Sequence, residues 1–294
     1  MDLNPDFKNF MDINVGSTAL IYELIVKNDL KIKKIIIAST QFVYGEGKWN
    51  CSIHGIFDAK SRTSNQLESG IWDILCPICE SKAQHIKNIE THQNPPNHYA
   101  LSKLFQESLA LTLGKLYDIP TVALRYSIVH GPRQSLKNAY SGALRTFAIN
   151  LLLNKELATF EDNRNIRDFV SVFDVAYANY LVLISEKANF EIFNVSGDSE
   201  YTINELAKIL SNKLNIPYKF SSVVEYRIGD IRNAVSDSSK LKNLGWQPKY
   251  SEEFTLELYL MWLKTQEIDF ENFKITQKKI REIGIIKKIK NDNK

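Results

Sequence analysis

Pro95-Pro96-Asn97-His98-Tyr99-Ala100-Leu101-Ser102-Lys103-Leu104-Phe105-Gln106-Glu107-Ser108-Leu109-Ala110-Leu111 is the stretch on which the reading of this chain turns. Two prolines end whatever precedes them, and an uninterrupted helical pattern follows. Tyr99 and Lys103 stand four apart, so a helix places both side chains on one face. A phenol titrates near ~10 when unperturbed, and an ammonium one turn away favours its ionised form. Such a pairing lets a tyrosine act as a general base near working pH. Spacing alone does not establish it. Tyr44 and Lys48 are also four apart, but Gly45 and Gly47 lie between them and argue against a helix.

Toward the N-terminus, residues 11–27 carry Ile13, Leu20, Ile21, Leu24 and Ile25 as one helical stripe, with Asn14 in its first turns. Ile35-Ile36-Ile37-Ala38 is a short apolar run without alternation, as in a parallel strand buried on both faces. It runs into Ser39-Thr40-Gln41-Phe42-Val43-Tyr44-Gly45. Hydroxyls just past the carboxyl end of such a strand lie where open α/β sheets bind ligands. Beyond the Tyr99 helix, Thr121–Tyr126 reads as the next buried strand, so strand, helix and strand form a right-handed parallel crossover.

The chain has 294 residues, enough for one large domain or two intimate ones. A formal charge of +3, with Lys interspersed among Asp and Glu, carries no nucleic-acid signature. No apolar run approaches the ~18 residues of a membrane span. The first residues lack the basic-then-apolar order of a secretory signal. These features predict a cytoplasmic protein whose three cysteines are reduced. The basic stretch from Lys274 to Lys294 reads as a solvated, frayed tail.

More than fifty residues separate the Tyr44-Gly45 turn from Tyr99, far more than a strand-to-helix loop needs. Within them lie Cys51-x-x-His54 and Cys76-Pro77-Ile78-Cys79, which hold all three cysteines of the chain. Two short pairs of soft ligands in that count suit a closed tetrahedral zinc site. A small insertion with little core of its own needs such a staple. Four protein ligands leave no open position, so the metal would be structural.

The ordered series of motifs resembles the extended short-chain dehydrogenase/reductase superfamily, specifically its NAD-dependent nucleotide-sugar epimerases and dehydratases. Ser39-Thr40-x-x-Val43-Tyr44-Gly45, Tyr99-x-x-x-Lys103 and Leu124-Arg125-Tyr126…Gly131-Pro132-Arg133 carry the likeness first. Arg167-Asp168-Phe169-Val170-x-Val172-x-Asp174-Val175-Ala176 and Phe193-Asn194-Val195-x-Gly197 follow in the same order. Arg227-x-Gly229-Asp230, Asp237-x-x-Lys240 and Leu244-Gly245-Trp246-x-Pro248 complete it, over about residues 11–265. The insertion, with Tyr126-Ser127-Ile128-Val129, is similar to that of epimerases resembling dTDP-L-rhamnose 4-epimerase. Most of the superfamily has Asn, a substrate-holding residue, where Ile128 stands.

The resemblance implies a Rossmann-like, doubly wound parallel sheet that is incomplete at its N-terminus, with a zinc-ribbon insertion and a smaller substrate-binding domain. The expected division is residues 1–135 for the NAD-binding domain, containing the insertion at 47–94. Residues 136–165 and 198–265 would bind substrate, 166–197 would return to the first domain, and 266–294 would form the tail. Tyr99 is implied as the base at the sugar C4 hydroxyl, with Lys103 lowering its pKa and binding the nicotinamide ribose. Thr40 would hydrogen-bond the reacting oxygen, and Asn14, Ser39 and Tyr126 would surround the cofactor. Arg167 and Arg227 would hold the substrate diphosphate and Asp230 the nucleotide ribose. The implied reaction is C4 epimerisation of a nucleotide-diphosphate sugar through a 4-keto intermediate, with NAD as cofactor and a homodimer as the assembly. Family dehydratases carry an Asp-Glu pair after the active-site Thr; Gln41 and Phe42 stand here and argue against water elimination.

No Gly-x-Gly-x-x-Gly occurs in the sequence, nor does the acidic residue that ends the family's second strand. The first consequence is an apolar sheet edge at Ile35–Ala38. The second is weak NAD binding by this polypeptide alone, since the pyrophosphate loses its cradle. A late-assigned start, a separate N-terminal chain and a decayed gene product each account for it. Besides the dTDP-L-rhamnose type of substrate, two alternatives stay open: a UDP-sugar epimerase or decarboxylase, and a non-catalytic sugar-nucleotide-binding homologue.

Overall fold

The computed structural model describes residues 6–136, 142–282, 284 and 286–289. At its centre is a three-stranded parallel sheet, in the order Ile35–Thr40, Thr121–Tyr126, Ile192–Val195. Thr40 lies opposite Tyr126, and Tyr126 opposite Val195, so the three carboxyl ends are level. The middle strand is buried throughout at Val122, Ala123, Leu124 and Arg125, which explains a run with no polar alternation. Ile35–Thr40 forms the sheet edge among the described residues, as its sequence context predicts.

The helix His98–Leu116 makes the crossover between the first two strands. Asn97 caps it, its side chain accepting from the Ala100 N–H at 2.9 Å. Gly114 lets the helix lie close to the sheet, since a Cβ there would stand 2.4 Å from Thr121 Oγ1. Residues 7–27 form the neighbouring helical segment, with a π-helical stretch at Met11–Gly16. It is pinned by Tyr22, whose hydroxyl is 2.6 Å from Thr121 Oγ1, and by Gln106, whose amide donates to Thr18 Oγ1. The helix Val172–Ile184 covers the sheet's other face through Val175, Ala178 and Val182. No helix among the described residues is long and apolar enough to cross a membrane.

A second unit joins at the carboxyl ends of these strands. Ile166–Ser171 pairs with Ser199–Thr202, Asn233–Ala234 and Ile128–His130. Leu157–Phe160 pairs with Phe220–Arg227. The helices Gly142–Leu152, Ile203–Leu214 and Glu252–Leu263 pack a core of Leu144, Phe147, Leu206, Leu210, Leu256 and Tyr259 against them.

The insertion is a small antiparallel sheet of Gly55–Asp58, Lys48–Cys51 and Gln84–Ile86. The chain enters it through Gly45 and Gly47, both at positive φ. A Cβ at Gly45 would stand 2.2 Å from the Asn94 carbonyl oxygen, so the entry and exit of the insertion touch there. Its own core is only Trp49, Ala59, Ile74 and Ala83. A buried ionic knot ties it to the second unit instead. Arg62 donates to Glu46 (3.0 Å), Glu161 (2.8 Å) and the Asp230 carbonyl (3.0 Å). Arg232 bonds Glu161, Asp162 and Asp73.

The expected frayed tail is not what its described residues form. Phe270–Glu282 is a helix, and Ile286–Lys288 pairs antiparallel with Phe220–Arg227. Arg281 donates to both carboxylate oxygens of Glu225, at 3.2 and 3.0 Å. Phe273 is buried beneath the Arg145 guanidinium, 5.5 Å from the ring centroid. That apolar anchor outweighs the solvated lysines around it.

Candidate active site

A cavity of about 990 Å³ opens where the parallel strands end. Ser39, Thr40, Tyr99 and Tyr126 line it from the sheet side, and Arg167, Arg227 and Asp230 from the second unit. Seven of the residues singled out in the sequence therefore face one space. Lys103 and Asn14 stand behind it rather than on its wall.

Thr40 ends its strand in extended backbone and caps the short helix Gln41–Tyr44, accepting from the Phe42 N–H at 3.3 Å. That turn aims its hydroxyl at the Tyr99 helix. Burial pushes the Tyr99 phenol above its ordinary pKa, and a hydrogen bond with the Thr40 side chain opposes the shift. Lys103, the residue expected to lower the phenol's pKa, is engaged elsewhere in this structure. Its ammonium turns one step further along the helix and donates to Gln106 Oε1 at 2.7 Å. Burial also lowers the pKa of Lys103 itself. Asn14 lies on the π-helical stretch, a geometry common at functional sites, and donates to Ser102 Oγ at 2.9 Å.

Ser39 Oγ is buried on the cavity wall without a protein partner, a hydroxyl free to meet a bound group. The Tyr126 hydroxyl donates to Asn179 Oδ1 at 3.0 Å, which holds the ring in place. Across the cavity, Arg167 reaches Asp230 Oδ1 at 3.2 Å and also donates to the Arg232 carbonyl. The Arg227 guanidinium lies over the Phe160 ring, 5.3 Å from its centroid. Burial works to raise the Asp230 pKa, but Arg167, Arg227 and Arg62 outweigh it and hold the carboxyl below the usual range. Lys155, Lys274, Lys278 and Arg281 join Arg167 and Arg227 on the wall, against the carboxylates of Glu156, Glu225 and Asp230, so cations outnumber acids, a balance suited to a phosphorylated ligand.

In the insertion, donor atoms of Cys51, His54, Cys76 and Cys79 all lie within 4.8 Å of one another. His54 Nδ1 is 3.7 Å from Cys51 Sγ and 3.4 Å from Cys76 Sγ, and Cys51 and Cys79 are 3.7 Å apart. A tetrahedron with Zn–S bonds of ~2.3 Å has edges of roughly 3.8 Å, so the donor set fits. The backbone N–H groups of His54 and Ile53 pull the Cys51 thiol down to about 5, toward the thiolate a metal needs.

Comparison with known proteins places this geometry in a class. Residues 78–196 match the NAD dependent epimerase/dehydratase family. The chain is 31% identical over 262 residues to a dTDP-L-rhamnose 4-epimerase of Burkholderia thailandensis, spanning 88% of this chain and 70% of that protein. It is 29% identical over 255 residues to a putative UDP-glucose 4-epimerase of Methanocaldococcus jannaschii, spanning 86% and 70%. The chain belongs to the NAD-dependent epimerase/dehydratase family. Among solved structures it is similar to a UDP-glucose 4-epimerase of Thermotoga maritima bound to UDP-glucose, at 25% identity and TM-score 0.66 over 86% of this chain and 70% of that one. The fold is shared with a UDP-glucuronic acid 4-epimerase of Bacillus cereus in complex with UDP-glucuronic acid and NAD, at 23% identity and TM-score 0.70 over 89% and 70%.

Sequence reading missed several groups. Arg62, Glu46, Glu161 and Arg232 carry no local signal, because their partners lie 16 to 99 residues away. The tail's contribution to the cavity had a faint one: Phe270 and Phe273, three apart, mark an apolar helix face.

Proposed function

We propose that this protein catalyses NAD-dependent C4 epimerisation of a nucleotide-diphosphate sugar of the dTDP-L-rhamnose type. The observation that carries the reading is the Thr40–Tyr99 hydroxyl pair on the wall of a cavity whose opposite side holds Arg167 and Arg227. Bound NAD would supply the hydride acceptor and donor. Ser39, with its unpartnered hydroxyl, and Tyr126 fit the nicotinamide end of such a ligand. Tyr99 takes the C4 hydroxyl proton, and Thr40 holds the same oxygen with a donor fixed where charge develops. Lys103, released from Gln106, supplies the positive charge that favours the phenolate. Arg167 and Arg227 clamp the diphosphate while the sugar turns, and Asp230 meets the nucleotide ribose. The Cys/His cluster holds a structural zinc, supported by its donor geometry.

The test is an assay with saturating NAD and dTDP-L-rhamnose, the C4 epimer being followed by NMR. Tyr99→Phe should lower the rate by roughly 10²–10⁴-fold. An undiminished rate in that variant overturns the assignment of the base. UDP-glucose is the second substrate to try, favoured by the similarity to the Methanocaldococcus and Thermotoga proteins.

A further inference from the structure

We propose that the C-terminal segment is part of the ligand-binding surface, its cations recognising the phosphates of the cavity's occupant. This rests on the nucleotide-sugar reading above and extends it to a stretch outside the family motifs. Lys274, Lys278 and Arg281 all line the cavity, while Glu271 and Glu282 on the same helix do not. The segment thus presents only positive charge to this space. Lys274 and Lys278 are four apart and share a helix face. Their acidic partners are Glu271 and Glu282, and these ion pairs are exposed, so they hold the ammonium groups weakly.

An independent feature fixes the segment against the predicted phosphate site. Ile286 pairs in register with Arg227, and Lys288 with Glu225, on the strand Phe220–Arg227. Arg281 meets Glu225 through two hydrogen bonds. The strand that carries Arg227 is therefore bounded by this segment, and the lysines add to the field of Arg167 and Arg227 from another side. A diphosphate brings two or more negative charges, and such a converging set would bind it in a salt-dependent way.

The experiment measures binding of dTDP and of UDP to the full chain by calorimetry, at about 50 and 200 mM salt. Lys274→Ala/Lys278→Ala should weaken nucleoside diphosphate binding about tenfold at the lower salt and flatten the salt dependence. Its melting temperature should stay close to that of the wild type, because both side chains are exposed and their ion pairs weak. Inorganic pyrophosphate should compete less well in the variant than in the wild type. Equal affinity in the two proteins overturns the inference and leaves the proposed function standing. A wild-type chain that binds neither dTDP nor UDP overturns both.

Discussion

Asp168 shows how much chemistry one side chain of a family motif conceals. It is fully buried beneath the cavity and accepts from Ser127 Oγ at 2.7 Å and from the Ser236 N–H at 3.3 Å. Burial pushes its carboxyl up to about 7 despite these donors. An unfolded Asp titrates near ~3.9, so between these values the native state holds a proton that the unfolded chain has released. Stability should therefore fall as pH climbs from about 4 to about 7. Asp168→Asn cannot ionise, so its stability relative to wild type should improve over that window, by roughly 2–4 kcal/mol. Denaturant unfolding at several pH values measures the difference. A constant offset between the two proteins removes the assignment. The residue type and its place were readable in the Arg167-Asp168-Phe169 motif. Its protonation was not, because that depends on burial by segments distant in the sequence. The same limit applies to Lys103, four residues from Tyr99 on one helix but drawn to Gln106 by a contact that spacing does not reveal.

Elements with a strong local pattern were the readable ones. The Ile35 strand, the Thr121–Tyr126 strand and the Tyr99 helix all stand where periodicity and the prolines put them. The insertion's length and the grouping of its three cysteines with His54 were readable. Its attachment was not, since Arg62 finds its partners across the fold. The insertion's own apolar cluster holds four buried residues, Trp49, Ala59, Ile74 and Ala83, a small core to order it unaided. Cys76→Ser should abolish bound metal, lower the melting temperature and expose the insertion to protease, while Ser108→Ala on the Tyr99 helix should do none of these. Elemental analysis expects about one zinc per chain. A metal-free wild type with the same melting temperature removes the metal from the account. The C-terminal segment was misread because lysine content outvoted two phenylalanines.

At the scale of the whole molecule, the large cavity lies where the strands of the parallel sheet end. Hydroxyls and cations line the cavity, but the sequence holds no Gly-x-Gly-x-x-Gly turn to receive a pyrophosphate. NAD added to this 294-residue polypeptide should bind weakly, with a dissociation constant well above the micromolar range. Titration calorimetry checks this, and ordinary micromolar affinity sinks the expectation. The sheet edge at Ile35–Thr40 and the exposed Leu20, Ile21 and Leu24 beside it should also make the isolated polypeptide prone to association. Size-exclusion chromatography at rising concentration would show it.

The knot around Arg62 bears on how such a chain could be remodelled. Arg62 belongs to the insertion, whereas Glu161 and Glu46 belong to its surroundings, and all three side chains are almost wholly dry. Arg62→Met would strip Glu46 of its charged partner and leave Glu161 with Arg232 alone, and should cost about 3–5 kcal/mol, measurable by denaturant unfolding; adding Glu46→Gln should recover part of that loss. An engineer who snips out residues 47–94 to shorten the protein would take Arg62 away from the same acids. Transplanting the insertion into another scaffold calls for its two carboxylate hosts to travel with it as one cassette.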